Sequence, residues 1–336
     1  MTCDVRRIAL ERPDILAECD SVEDGKRNLD LYGYTIHRTA IPADLALRLR
    51  DRVMEQAELE LEAGVAMVSS EGHAGGDMQF SNNGGRLPVS QQVFFLPNKG
   101  HIFIDLLHDP VAMEYAAHLF KGLPFNIATQ SALILRNGGK RQVLHSDQQA
   151  VNFATPMPVM FNYHICLSDW DADMGATNVV PGSHQLGAPD FMRSADEVVE
   201  EVGGALAPMT GKIGDVLIFE SRTWHCQGDS VSPKTRISAA NVYALHCMKP
   251  QDFYPAILHD DVYETLTDKD KDMLGFKVAF GYGGRIGARN PSDLRANTNL
   301  QFPFIPELRR GGDKKALPLG GRALDHRVKP EMIKVK

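Results

Sequence analysis

The sequence predicts a mainly β fold flanked by helices. Residues 126–250 contain four short runs rich in β-branched and aromatic residues, and turn residues separate them at spacings typical of a sandwich or barrel. Apart from 194–202, no helical segment alternates with these runs, which disfavours a parallel α/β sheet. The four runs are NIATQSALIL, VMFNYHICL, GDVLIFE and RISAANVYAL.

The amino-terminal part, residues 1–125, is predicted to be mostly helical. Its clearest helix is expected at 42–63, where leucine, valine and methionine leave an apolar stripe at helical spacing between acids and arginines. A second helix is expected at 110–120, because a proline there follows Asp109, a favourable N-cap residue.

The carboxy-terminal part, residues 251–336, is expected to combine a short helix near 265–273 with irregular segments. Its GYGGRIGARN run lacks the GK[ST] of a phosphate-binding loop and is interpreted as a plain loop. No internal repeat and no linker rich in Pro, Gly or Ser divides the chain. A single domain over 1–336 is therefore the simplest prediction.

The composition argues against several classes of protein. The chain has 336 residues, a formal charge of -7 and no basic stripe, so neither nucleic acid nor anionic membrane is an expected partner. Its five cysteines form no CxxC pair, which favours a reduced intracellular setting. No apolar run is long enough for a signal peptide or a membrane span, so a cytoplasmic location is expected.

The stretch 69–100 is rich in Gly, Asn and Ser and carries Met78 and Phe80. Two interpretations stay open, a surface loop or a lid over an active site. Met78, Phe80 and Trp224 are candidates for contact with an apolar substrate, although Trp224 would otherwise pack against the barrel wall. Further aromatic candidates that the core would equally accommodate are Phe94, Phe95 and Tyr282.

The central chemical signal is an H-x-D pair, His145 and Asp147, within QVLHSDQQ. On extended backbone, residues i and i+2 point to the same face, so both side chains can converge on one metal ion. His225 follows the β run GDVLIFE and would complete two histidines and one carboxylate. That set leaves three positions open on an octahedral ion and is the facial triad of non-haem Fe(II) oxygenases.

Arg236 lies in the last of the four β runs, among Ile, Ala and Val. A charged group in such surroundings is unusual unless it is paired. The far carboxylate of 2-oxoglutarate would be a suitable partner, because the planar guanidinium pairs with carboxylates through two parallel hydrogen bonds. Ser238 shares the face of Arg236 and is placed to donate to the same carboxylate. The alternative is an edge-strand arginine that faces solvent.

The H-x-D pair, the later histidine and the arginine beyond it resemble the phytanoyl-CoA dioxygenase-like branch of Fe(II)/2-oxoglutarate oxygenases. The segment GATNVVPGSHQLG at 175–187 is similar to the V-x-P-G-[ST]-H stretch of that family. The resemblance covers roughly residues 28–250 and is closest to small-molecule tailoring oxygenases of secondary metabolism. It implies a double-stranded β-helix, the cupin-like jelly roll.

The resemblance also implies residues that contact the co-substrate. Gln142, three residues before the first metal ligand, corresponds to a glutamine that often contacts 2-oxoglutarate in relatives. Thr177 corresponds to a polar residue with the same role, and Gln130 is expected to line the same pocket. Many relatives have Asn-Gly where this chain has Met174-Gly175, which bears on co-substrate contacts and not on the triad.

The activity that the resemblance implies is an Fe(II)- and 2-oxoglutarate-dependent dioxygenase that uses O₂. It would oxidise an unactivated C–H bond of a small apolar organic substrate, by hydroxylation, desaturation or cyclisation, with release of succinate and CO₂. Asp147 favours this chemistry, because related halogenases have a small residue there. No catalytic residue beyond the metal ligands is required, and a homodimer is expected. Two alternatives stay open: a cupin-like metal enzyme that does not use 2-oxoglutarate, and a non-catalytic binding jelly roll.

Overall fold

A large and a small β-sheet face each other in the computed structural model, which describes residues 16–72, 78–151, 155–277 and 305–311. The strands are β1 (Glu18–Cys19), β2 (Tyr34–His37), β3 (Ala66–Ser69), β4 (Gln79–Ser81), β5 (Ser90–Val93), β6 (Phe125–Leu135), β7 (Met160–Cys166), β8 (Thr177–Val179), β9 (Ala207–Pro208), β10 (Val216–Glu220), β11 (His225–Gln227) and β12 (Arg236–Leu245). The helices are α1 (Val22–Tyr32), α2 (Ala43–Glu62), α3 (His101–Asp105), α4 (Pro110–Leu119), α5 (Ala195–Glu201), α6 (Tyr254–Ile257), α7 (Asp260–Thr265) and α8 (Asp268–Met273).

The large sheet has nine strands in the order β1-β2-β10-β7-β12-β6-β5-β3-β4, and the small sheet has three in the order β11-β8-β9. Apart from the parallel pair β1 and β2, neighbouring strands are antiparallel. The sheets do not close into a barrel. This arrangement confirms the predicted mainly β jelly roll with flanking helices.

The four predicted β runs are confirmed as β6, β7, β10 and β12. The predicted helices at 42–63, 110–120 and 194–202 correspond to α2, α4 and α5. Side-chain caps set the starts of α4 and α5. The carboxylate of Asp109 accepts a hydrogen bond from the Ala112 N–H, and Ser194 forms a capping box with Glu197.

Helices α1 to α4 lie in the amino-terminal part, but the short strands β1 to β5, which were not predicted, lie there too. For two of these strands, β2 and β5, the pairing partners explain why local pattern did not reveal them. β2 pairs with β10, about 180 residues further along the chain, and β5 pairs with β6. The stretch 69–100, interpreted as either a surface loop or a lid, is in part sheet, since β4 and β5 lie within it. Residues 73–77 of that stretch lie outside the described residues.

Two apolar layers cover the large sheet. The helices pack on its outer face, where Leu49, Val53 and Phe103 are fully buried. The small sheet packs on its inner face through a second cluster that includes Trp170 and Phe219. The apolar layer therefore covers one part of the inner face, and the site lies on the other part. In the described part of the chain, no helix is long and apolar enough to cross a membrane.

Gly33 lies in a turn and has a positive φ of 80°. A Cβ atom added to Gly33 would lie 2.4 Å from Thr223 Oγ1. Gly64 has a similar φ of 75° but no atom within 4 Å of a built Cβ. We expect Gly64→Ala to lower the free energy of unfolding by about 1–2 kcal/mol through backbone strain. Gly33→Ala should cost about 1–3 kcal/mol more, because a contact is added to the strain. Equal losses in denaturant unfolding would show that Thr223 and His184, whose Nδ1 would lie 2.7 Å from the built Cβ, move away freely.

Candidate metal centre

The backbone brings His145 and His225 side by side. They form an isolated antiparallel bridge in which His145 N–H donates to the His225 carbonyl at 3.0 Å and His225 N–H donates back at 2.8 Å. Their imidazole centroids are 4.3 Å apart. Asp147, two residues after His145, opens a short 3-10 turn. One candidate ligand atom from each of the three residues lies within 4.8 Å of the others.

Hydrogen bonds orient both imidazoles toward the same point. Nδ1 of His145 lies 2.9 Å from the Val143 carbonyl, and Nδ1 of His225 lies 2.9 Å from the Thr223 carbonyl. A carbonyl can only accept, so each Nδ1 carries the proton and each Nε2 keeps a free lone pair. Burial also lowers the pKa of His225, which favours the neutral form that binds metals.

The two oxygens of the Asp147 carboxylate make different contacts. Its Oδ1 lies 3.7 Å from Nε2 of His145 and 3.7 Å from Nε2 of His225. Its Oδ2 accepts a 2.6 Å hydrogen bond from the Asn162 side-chain amide on β7. Asn162 thereby holds Oδ2, while Oδ1 faces the two imidazoles. Two nitrogens and one oxygen on one side of a cavity fit a divalent iron ion and leave its other positions open.

Arg236 begins β12 and is only 4% exposed. Its guanidinium lies 4.9 Å from the Trp170 ring centroid, and Nη2 reaches Gln227 Oε1 at the long distance of 3.5 Å. Its buried Nε has no hydrogen-bond partner, and no carboxylate of the described residues forms an ion pair with it. Burial lowers the pKa of Arg236 to about 10, so the group remains charged at neutral pH. A buried cation is thus present without a counter-ion from the part of the chain that the structure describes.

The strand register places the other expected co-substrate residues. Ser238 follows Arg236 on the same face of β12 and is 5% exposed. Thr177 on β8 pairs directly with Gln227 on β11. Gln142 N–H donates to the Gln227 carbonyl at 3.0 Å, so Gln142 lies beside the same strand. The structure therefore brings Arg236, Thr177 and Gln142 around Gln227, while their contacts with a co-substrate stay predictions.

Gln130 does not line this pocket, which corrects the prediction. Gln130 on β6 pairs with Asn241 on β12. Because Asn241 is an odd number of residues from Arg236 along the strand, its side chain points to the opposite face. There the Gln130 amide donates to the Phe103 carbonyl and to Asn241 Oδ1. Gln130 consequently joins the sheet to the helical layer.

Trp224 also points away from the site, which corrects its candidacy for substrate contact. It precedes His225 on extended backbone, so the two side chains lie on opposite faces. Its indole N–H donates to the Gly187 carbonyl at 2.6 Å, and its ring packs in an apolar cluster with Val198 of α5. The expectation that it packs against the wall of the fold agrees with this position.

The remaining substrate candidates fall at the edge of the large sheet. Phe80 on β4 pairs with Met67 on β3, and both are at least partly buried. Met78 is half-buried immediately before β4. Tyr282 and the GYGGRIGARN run lie outside the described residues.

Three residues of the site were missed at the sequence level, namely Asn162, Trp170 and Gln227. Two of them follow from alternation along a strand. Gln227 is two residues after His225, and Asn162 and His164 are two residues apart on β7. His164 is half-buried, and the positive charge of Arg236 and the neighbouring His225 join burial in lowering its pKa to about 3. Trp170 has no local signal, since its role depends on the position of Arg236.

Comparison with known proteins supplies the family. The sequence profile of the phytanoyl-CoA dioxygenase family matches residues 29–238, which is more than half of the chain. The chain belongs to the phytanoyl-CoA dioxygenase family. The family consists of Fe(II)/2-oxoglutarate-dependent oxygenases, and the predicted resemblance is confirmed.

One curated relative and two solved structures illustrate the similarity. Dioxygenase af480 of Aspergillus fumigatus is 29% identical over 189 residues, which is 56% of this chain and 59% of the relative. The match therefore spans about three fifths of the relative's own length. AviO1 from Streptomyces viridochromogenes aligns over 69% of this chain and 98% of its own, with 21% identity and a TM-score of 0.52. HygX from Streptomyces hygroscopicus, solved with nickel and 2-oxoglutarate, aligns over 68% and 88%, with 14% identity and a TM-score of 0.52. Both structures share the fold.

The amide of Asn162 generates a prediction about metal affinity. Asn162→Leu removes the hydrogen bond that holds Asp147, so we expect cobalt or iron affinity to fall by about 10- to 100-fold. The matched control is Asn178→Leu, because the Asn178 amide donates to the nearby Ala176 carbonyl and not to a metal ligand of the candidate site. Titration of the metal-free protein with Co(II) measures both. Unchanged affinity in Asn162→Leu would mean that Asp147 needs no orienting partner.

Proposed function

We propose that this protein is an Fe(II)- and 2-oxoglutarate-dependent dioxygenase that oxidises an unactivated C–H bond of a small, largely apolar organic molecule. His145, Asp147 and His225 would hold the iron, and Arg236 would bind the far carboxylate of 2-oxoglutarate. Hydroxylation is the proposed outcome, with desaturation and cyclisation as variants of the same hydrogen abstraction. The description of a relative as a dioxygenase supports the reaction class.

The buried guanidinium of Arg236 is the observation that carries the proposal. An unpaired charge inside a protein costs several kcal/mol, so a structure that retains one needs a compensating ligand. A dicarboxylate that reaches from the triad to Arg236 supplies that compensation. A cupin-like metal enzyme without 2-oxoglutarate would have no use for this cation, and a binding protein would have no use for the oriented histidines.

The residues of this chain would each perform a simple task. When bound, iron with 2-oxoglutarate and O₂ supplies the oxidising chemistry. His145, Asp147 and His225 would hold the ion through two imidazole nitrogens and one carboxylate oxygen. Arg236, held against Trp170, fixes the co-substrate at its far end. The apolar packing around Trp170 excludes water from that end, and Phe219, whose ring centroid lies 4.6 Å from that of His225, does so beside the triad. No protein side chain is assigned as a general base.

The natural partner in this proposal is a small molecule, and neither nucleic acid nor a membrane surface is invoked. A homodimer remains a proposal drawn from the family. The candidate lid and the sheet edge at β4 would shape the substrate pocket.

Co-substrate binding gives the first test of this function. Anaerobic protein loaded with Fe(II) should develop a weak visible charge-transfer band when 2-oxoglutarate chelates the metal. We expect Arg236→Ala to weaken or abolish this band, because the far carboxylate loses its cation. Arg136→Ala is the matched control, since Arg136 is a partly buried arginine that donates to the Pro88 carbonyl. An iron-loaded wild type without the band would contradict the assignment and favour the enzyme that does not use 2-oxoglutarate.

Trp170 generates a further prediction about co-substrate affinity. Its ring lies over the Arg236 guanidinium, and its indole N–H donates to the Ile237 carbonyl at 3.1 Å. Loss of the cation–π contact in Trp170→Leu should raise the Kd of 2-oxoglutarate roughly 2- to 30-fold. Trp170→Phe should recover most of the affinity because the aromatic face is kept. If both variants bind 2-oxoglutarate as the wild type does, the ring has only a packing role.

A further inference from the structure

An apolar recess lies at the edge of the large sheet that is formed by β3, β4 and β5. The side chains that line it are Met67, Phe80, Gln92, Phe94, Phe95 and Ile305, with Glu60 and Lys99 in its wall. They come from α2, three strands, the turn after β5 and the described carboxy-terminal segment 305–311. Neither the triad nor Arg236 is part of this recess.

The strained backbone conformation of Phe95 helps to form the recess. Phe95 adopts a φ of 56°, a left-handed conformation that is rare for a bulky side chain. Successive residues on a strand would point to opposite faces, but the left-handed turn lets Phe94 and Phe95 line the same cavity. Their ring centroids are 5.8 Å apart. Such strain is retained where the surrounding structure requires it.

The charged groups in the wall compensate each other. Lys99 Nζ lies 3.4 Å from Glu60 Oε1, and their side chains are 1% and 2% exposed. Lys99 also donates to the Ile305 carbonyl, which fastens the carboxy-terminal segment against the recess. Because these charges are already paired, the recess offers no counter-ion to a charged ligand. Its aromatic and thioether surface favours an uncharged, apolar one.

Polar and small side chains connect the recess with the metal centre along the inner face. Gln92 donates to Ser131 Oγ on β6 at 3.2 Å. Ser131 pairs with Ala240 on β12, and Ala240 pairs with His164 on β7, beside the triad. The path from β5 to β7 crosses three interstrand spacings, or about 14 Å along the sheet. An elongated molecule can therefore reach both places.

We infer that this recess binds the apolar end of an elongated, uncharged substrate whose reacting carbon lies at the triad. The inference rests on the proposed function for its reaction, but the binding itself does not require turnover. Phe94 and Phe80 contact the apolar end, Ile305 sets the depth available to it, and Gln92 bonds a hydroxyl or carbonyl group nearer the iron.

The test uses two fluorescent probes that share one ring skeleton. N-phenyl-1-naphthylamine is uncharged, and 1-anilinonaphthalene-8-sulfonate carries a sulfonate. We expect the full-length protein to bind the uncharged probe with enhanced emission and the sulfonate at least about tenfold more weakly, because Lys99, the cation among the described residues of the recess, is paired with Glu60. Phe94→Ala should weaken the uncharged probe by about 5- to 10-fold. Phe253→Ala, at a phenylalanine that is 42% exposed and outside the recess, should leave its affinity unchanged.

The distance to the metal centre is tested in the same samples. Co(II) at the triad should quench the bound probe, Zn(II) should not, and His225→Ala should abolish the quenching. Absence of probe binding, equal binding of both probes, or binding without quenching by bound Co(II) would each overturn the inference. A missing charge-transfer band with 2-oxoglutarate would instead overturn the proposed function, and thermal unfolding of each variant verifies that it is folded.

Discussion

The reciprocal backbone hydrogen bonds between His145 and His225 hold the candidate site together. They join the H-x-D segment, which lies outside the named strands, to β11 of the small sheet. Two imidazoles from distant parts of the chain are thereby placed with their centroids 4.3 Å apart. Once they are paired in this register, the position of Asp147 two residues later follows, and so does that of Gln227 two residues after His225.

Alternation of side chains along extended backbone decides which residues belong to the site. Arg236 and Ser238 share one face of β12, and Asn162 and His164 share the corresponding face of β7. A shift of one residue moves a side chain into a different layer, as Gln130 and Trp224 illustrate. The inner face therefore carries the polar groups for metal and co-substrate, and the outer face carries the contacts with the helices.

Two buried cations of the protein, Lys99 and Arg236, differ in whether a carboxylate neutralises them. Lys99 is neutralised by Glu60, so the recess at the sheet edge presents no net charge. Arg236 has no carboxylate partner among the residues that the structure describes, although it is equally buried. The first arrangement suits an apolar ligand, and the second suits an anionic one. In the proposed function, one inner face would bind a dicarboxylate at one end and an uncharged molecule at the other.

The sequence by itself determined the β runs, the capped helices, the three candidate ligands and the arginine, because these depend on local periodicity and on short spacings such as H-x-D. It also determined the family, through the motif around Gly175–Gly187. Only the tertiary structure decided strands such as β2, since its partner β10 lies about 180 residues further along the chain. The same holds for the Asn162 amide on Asp147, the Trp170 face on Arg236 and the orientation of Gln130. Such contacts depend on register between strands, which no single segment of sequence encodes.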